Sequence, residues 1–217
     1  MPRSTLKLAV LVSGRGSNFE AVQKAIMAGE LNAEIVCLLS NNAGVKALDL
    51  AAHYGVPSLV VPSQGLDRDE HEQRVLAALA PFAPQFLLLA GYMRILTSRL
   101  LEAFRTSTDS GDYFRVINIH PTLLPAFPGK NGYLDAWEAQ VPVSGVTVHL
   151  VDELVDHGPI IAQRSFAREP GDDLESFGRR GLAIEHALLP QALGAIAEHG
   201  ICLQKLPYIR VQQGEKA

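Results

Sequence analysis

Residues 6–22 read LKLAVLVSGRGSNFEAV: an apolar run, a Gly-x-Gly turn, then residues spaced for a helix. A strand that is apolar on both faces has no side for water. It belongs in a sheet covered on both sides. The pattern repeats down the chain. Strands are expected over 34–40, 58–62, 85–92 and 115–120, with helices over 18–29, 45–54, 67–80 and 97–104. Alternating strands and helices of this kind predict a doubly wound, mostly parallel α/β sheet for the first 120 residues.

The later sequence changes character. VSGVTVHLVDEL (143–154) and PIIAQRSFA (159–167) are separated by a short loop, which suits an antiparallel hairpin better than a helical crossover. A long helix is expected over 172–198, kinked or split at Pro190. TSTDSGDY (106–113) reads as a polar surface loop and QQGEKA (212–217) as a loose tail.

The chain has 217 residues, 47% of them hydrophobic, enough for one good core. One domain over 1–217 is expected, with a first half over about 1–115 and a second over about 116–200. The formal net charge is −4, and no basic stripe marks a nucleic-acid partner. No run reaches the roughly 20 apolar residues of a membrane span. A cytoplasmic protein is expected, monomer or homodimer. Cys37 and Cys202 lie in separate apolar runs and read as reduced thiols.

The turn SGRGSN (13–18) has two readings. It lacks the third glycine and the following acidic residue of a dinucleotide site, and the Gly-Lys-Ser/Thr of a P-loop. What remains is a small phosphate cradle from Gly16, Ser17 and Asn18 at a helix N-terminus. The plainer reading is a tight turn with Asn18 as helix cap.

VINIHPTLLPAFPG (116–129) places Asn118 and His120 on one face of a strand end, followed by Pro121, Pro125 and Pro128. An amide there can hold a developing oxyanion, and an imidazole can move protons near neutrality. Alternatively both simply bond to loop backbone. Asp152, Glu153 and Asp156 crowd the loop before His157-Gly158-Pro159. One of them could orient His120, or all three could be solvated. His149, Asp152, Asp156 and His157 lack ligand spacing, so no metal is expected, and His149 reads as a structural residue.

These stretches, with AGYMRIL (90–96) and GVTVHLVDELVDHGPIIAQ (145–163), closely resemble the phosphoribosylglycinamide formyltransferase family over about residues 6–190. The resemblance implies a Rossmann-like formyltransferase fold. It implies transfer of a formyl group from 10-formyltetrahydrofolate to the amine of glycinamide ribonucleotide, in purine synthesis, with no metal. It also implies roles. Asn118, His120 and Asp156 would be catalytic, Gly16, Ser17 and Asn18 would hold the substrate phosphate, and Glu185 the ribose. Met93, Arg94, Ile95 and Leu96 would wall the folate pterin, with backbone of 151–156 opposite. Arg68 would take the family's folate-binding arginine position, and Pro121 would border the substrate. Near alternatives are a formyltetrahydrofolate hydrolase and a non-catalytic folate- or nucleotide-binding module on the same fold.

Overall fold

A computed structural model describes residues 5–203 and 209–210. Its main sheet has eight strands in the order β10-β9-β8-β7-β4-β1-β2-β3. Strands β1 (Leu6–Val12), β2 (Ala33–Ser40), β3 (Ser58–Val60), β4 (Phe86–Leu89) and β7 (Val116–His120) run parallel. Strand β8 (Val143–Leu150) pairs antiparallel with β7 and with β9 (Ile160–Ala167), and β10 (Ile209–Arg210) lies parallel to β9. Helices α1 (Ser17–Met27), α2 (Lys46–His53) and α6 (Leu174–His199) pack on one face, and α3 (Arg68–Leu79) and α4 (Ser98–Ala103) on the other. Among the described residues no helix is long and apolar enough to cross a membrane.

The side-chain alternation of the strands builds both faces. Leu8, Val10 and Val12 of β1 enter one apolar cluster, while Ala9 and Leu11 enter the other. All five are fully buried, so β1 is the central wall between two cores. The same parity sorts the strands that matter for function. Ile117 and Ile119 of β7, with Val146, Val148 and Leu150 of β8, fill the first core. Asn118, His120, Thr147 and His149 therefore share the opposite face, where Asn118 lies beside His149 and His120 beside Thr147. The Pro-rich loop after β7, the loop that carries Asp156 and the start of the helix at Gly132–Glu138 lie against that patch.

Three expectations are corrected. Residues 106–113 lie in a two-stranded hairpin, β5 (Arg105–Thr108) and β6 (Gly111–Phe114), tied by Arg105 to Asp112 at 2.7 Å. Alternating residues there have a cross-strand partner that a composition-based reading does not see. Helix α6 is not split at Pro190 but continues from Leu174 to His199. Its packing against α1, β8 and β9 supports the turn that the proline leaves short of a hydrogen bond. A helix α5 (Gly132–Glu138) also forms in a stretch for which no element was expected. The expected loose tail lies outside the described residues.

The Pro-rich loop after β7 is fastened from the neighbouring strands. Thr147 Oγ1 accepts from Leu124 N–H at 3.0 Å and donates to Thr122 C=O at 2.7 Å. Gln163 Nε2 donates to Leu124 C=O at 2.8 Å and to Thr147 Oγ1 at 2.9 Å. The buried backbone groups of an irregular segment thus find partners.

Candidate active site

Asp156 stands in the loop between β8 and β9, against the end of β7. Of the three carboxylates in its loop, Asp152 is spent on Leu154 N–H and His157, each at 2.9 Å, and Glu153 is exposed. Asp156 alone turns inward, with its backbone in the left-handed region at φ 54°. That conformation is strained for a residue with a Cβ, and such strain is held where the surroundings fix it. Gly158 closes the loop: a Cβ there would strike Leu150 C=O.

Asp156 Oδ2 accepts from Gly129 N–H at 2.7 Å and lies 3.3 Å from His120 Nδ1. Asn118 Nδ2 donates to Asp156 Oδ1 at 3.3 Å and sits 3.2 Å from His149 Nε2. The sequence-predicted trio thus converges. Burial pushes the Asp156 carboxyl up, but its bonds to His149 and Gly129 and the nearby histidines outweigh burial and hold it below the ordinary aspartate value. Burial pushes His120 the other way, below the ordinary imidazole value, and the Phe127 carbonyl and Asp156 only partly offset it.

Asp156 pushes the imidazole toward its charged form, and desolvation, the larger effect, pushes it away. His120 Nε2 lies 2.9 Å from Phe127 C=O, and a carbonyl only accepts, so the ring proton sits on Nε2. Nδ1 faces the Asp156 carboxylate at 3.3 Å, so the pair lies within reach of a shared proton.

His149 is buried and bonded inside, as its reading as a structural residue expected: its Nδ1 lies 2.8 Å from Leu150 C=O, and Nε2 lies 3.7 Å from Asp156 Oδ1, beside the cluster.

The glycine turn forms a second locus. Gly16 has φ 77°, and a Cβ there would lie 2.7 Å from Ala47 Cβ, so only glycine fits. The first helical bond of α1 runs from Glu20 N–H to Gly16 C=O, which leaves Ser17, Asn18 and Phe19 N–H without an intrahelical acceptor. Asn18 does not cap α1 with its side chain. Its Nδ2 donates instead to Glu185 Oε2 at 2.6 Å, and Tyr133 of α5 donates to Glu185 Oε1 at 2.6 Å. Burial pushes the Glu185 carboxyl above the ordinary glutamate value, against the bonds from Asn18 and Tyr133 and the charge of Arg15. Arg15 and Tyr133 were both missed in the sequence.

A third locus is apolar. Met93 and Ile95 are 60% and 50% exposed, while Arg94 and Leu96 are half-buried. Leu96 and Val151 pack against one core cluster, and Leu154 and Val155 are exposed in the Asp156 loop. Ser13 Oγ fixes Met93 N–H at 2.8 Å, and the buried Glu72 receives Thr97 N–H at 2.8 Å and the Thr97 hydroxyl. Arg68 is exposed on the first turn of α3 and shares no hydrogen bond or ion pair with any described residue. Among the described residues no group of three or more His, Cys, Asp or Glu is placed to hold a metal ion.

This geometry has close counterparts. The family model described as formyl transferase matches residues 6–193. The chain is 36% identical over 188 residues to the phosphoribosylglycinamide formyltransferase of Bacillus subtilis (strain 168), covering 86% of this chain and 92% of the relative. It is 41% identical to the trifunctional purine biosynthetic protein adenosine-3 of Drosophila pseudoobscura pseudoobscura, over 88% of this chain but 14% of that protein's length. The crystal structure of phosphoribosylglycinamide formyltransferase from Bacillus halodurans superposes with a TM-score of 0.83 at 34% identity, covering 94% of this chain and 100% of the other. The chain belongs to the formyl transferase family, in its phosphoribosylglycinamide formyltransferase branch.

Proposed function

We propose that the chain transfers the formyl group of 10-formyltetrahydrofolate to the amine of 5′-phosphoribosylglycinamide, directly and through a tetrahedral intermediate. The observation that carries the reading is the convergence of Asn118, His120 and Asp156, with Asn118 and His120 each 3.3 Å from the Asp156 carboxylate. A binding module has no need of a buried amide, imidazole and carboxylate in mutual contact. The kinship of the whole chain to named formyltransferases supports the same conclusion.

The attacking amine must lose a proton. Asp156, directly or through a water, receives it, and as the bond from the formyl carbon to folate N10 breaks, N10 takes up a proton by the same route. The carbonyl oxygen gains charge as the amine attacks. Asn118 donates an N–H to it in exchange for its two long bonds to His149 and Asp156. In the resting arrangement both ring nitrogens of His120 face protein groups, so a bond from His120 to the oxyanion requires the Phe127 contact to open. Gly16, Ser17 and Asn18 supply backbone N–H groups to the 5′-phosphate, and Glu185 receives the ribose hydroxyls. The apolar Met93–Leu96 wall and the 151–156 loop hold the pterin between them, with Arg68 toward the rest of the folate. Holding amine and formyl carbon together supplies much of the remaining rate.

The test is product analysis with 10-formyltetrahydrofolate, with and without the ribonucleotide. Formylated ribonucleotide is expected, with little formate when ribonucleotide is absent. Formate released without ribonucleotide identifies a hydrolase instead, and binding of both compounds without turnover identifies a non-catalytic module.

A further inference from the structure

We infer that Tyr133 is a positioning residue, whose phenol locks the Glu185 carboxylate in the orientation that receives the hydroxyls of the substrate's sugar. The inference rests on the role proposed above for Glu185.

Both carboxylate oxygens of Glu185 are committed, Oε2 to Asn18 and Oε1 to Tyr133, each at 2.6 Å. Two donors from different elements leave the buried group one orientation. Burial and the adjacent carboxylate push the Tyr133 phenol well above its ordinary range, so it stays a neutral donor. Helix α6 is shaped to admit the ring. Gly181 stands one turn before Glu185, and a Cβ there would lie 2.5 Å from the Tyr133 hydroxyl oxygen. One turn earlier still, Phe177 meets the ring edge-on at 6.4 Å. Phe177, Gly181 and Glu185 thus form one stripe along which the tyrosine lies.

The corner also states what it recognises. Asn18 gives one of its two amide N–H groups to Glu185, and its Oδ1 is buried with no hydrogen-bond partner among the described residues. An acceptor oxygen cannot ligate a phosphate oxygen. The Asn18 side chain and the carboxylate therefore present acceptors to a donor, and a sugar hydroxyl is such a donor.

Steady-state kinetics on Tyr133→Phe, Gly181→Ala, Glu185→Gln and the Glu185→Gln/Tyr133→Phe double variant test this. The substrates are the ribonucleotide and an analogue lacking both ribose hydroxyls. Tyr133→Phe keeps the ring and should raise the ribonucleotide KM about fivefold, with kcat and the folate KM within about twofold. Gly181→Ala should reproduce the effect by displacing the ring. The penalty should vanish with the analogue, and Tyr133→Phe should add nothing in the Glu185→Gln background. An unchanged ribonucleotide KM in Tyr133→Phe, with the wild type still discriminating against the analogue, overturns the positioning role and spares the reading of Glu185. A wild type that treats both substrates alike overturns that reading and the inference together.

Discussion

Two buried carboxylates, Asp156 and Glu185, face opposite fates. Asp156 is surrounded by a backbone N–H and two imidazoles, and its pKa falls. Glu185 is held by two neutral donors in a drier place, and its pKa rises. On the roles proposed above, the same functional group transfers a proton in one region and holds a hydroxyl in the other. Surroundings rather than residue type decide the role. Helix α5 ties the regions together: Tyr133 bonds Glu185, while a Cβ at the adjacent Gly132 would lie 3.3 Å from His120 Nε2.

The contrast can be broken by substitution. Asp156→Asn should lower kcat about 10³-fold. Because Asp156 raises the His120 pKa, the acid limb of the residual kcat/KM profile should move to lower pH. A raised KM with normal kcat would reduce Asp156 to a binding group. Asn118→Ala should lower kcat about 10²-fold and leave the ribonucleotide KM nearly unchanged. If only thermal stability suffers, the amide is structural. Glu185→Gln should do the reverse, raising the ribonucleotide KM about tenfold while kcat holds.

The smallest effect sharpens the comparison by its sign. With its folded pKa depressed, Asp156 contributes stability above its unfolded pKa and loses it as pH falls through the folded value. With its folded pKa raised, Glu185 imposes a penalty that is full above the folded value and gone below the unfolded one. At neutral pH, denaturant titration should therefore show Asp156→Asn less stable by about 1–2 kcal/mol, while Glu185→Gln stays within about 1 kcal/mol of wild type. The depressed His120 adds a further loss as pH falls below about 6.5, the value at which the unfolded chain takes its proton.

Much of the fold was legible because strands buried on both faces carry an unmistakable composition, and each such run from 6 to 120 became a strand. Asn118, His120 and Asp156 stood out as polar residues where apolar ones were due. What escaped depends on partners far away in sequence. His149 read correctly as structural, but its contact with Asn118, on another strand, did not show. Tyr133 was not singled out, since its bond to Glu185 spans 52 positions. The direction of the His120 shift needed burial, which no residue string states.

Thr147 takes no part in the chemistry, yet its single hydroxyl answers to both Leu124 and Thr122 while Gln163 grips it from the next strand. The anchor of the proline loop is thus written into a different part of the chain from the loop itself. Substitutions at the loop's exposed positions can retune what it touches without altering its height above the sheet, whereas an isosteric valine at 147 would loosen the lid while leaving every residue of the lid unchanged.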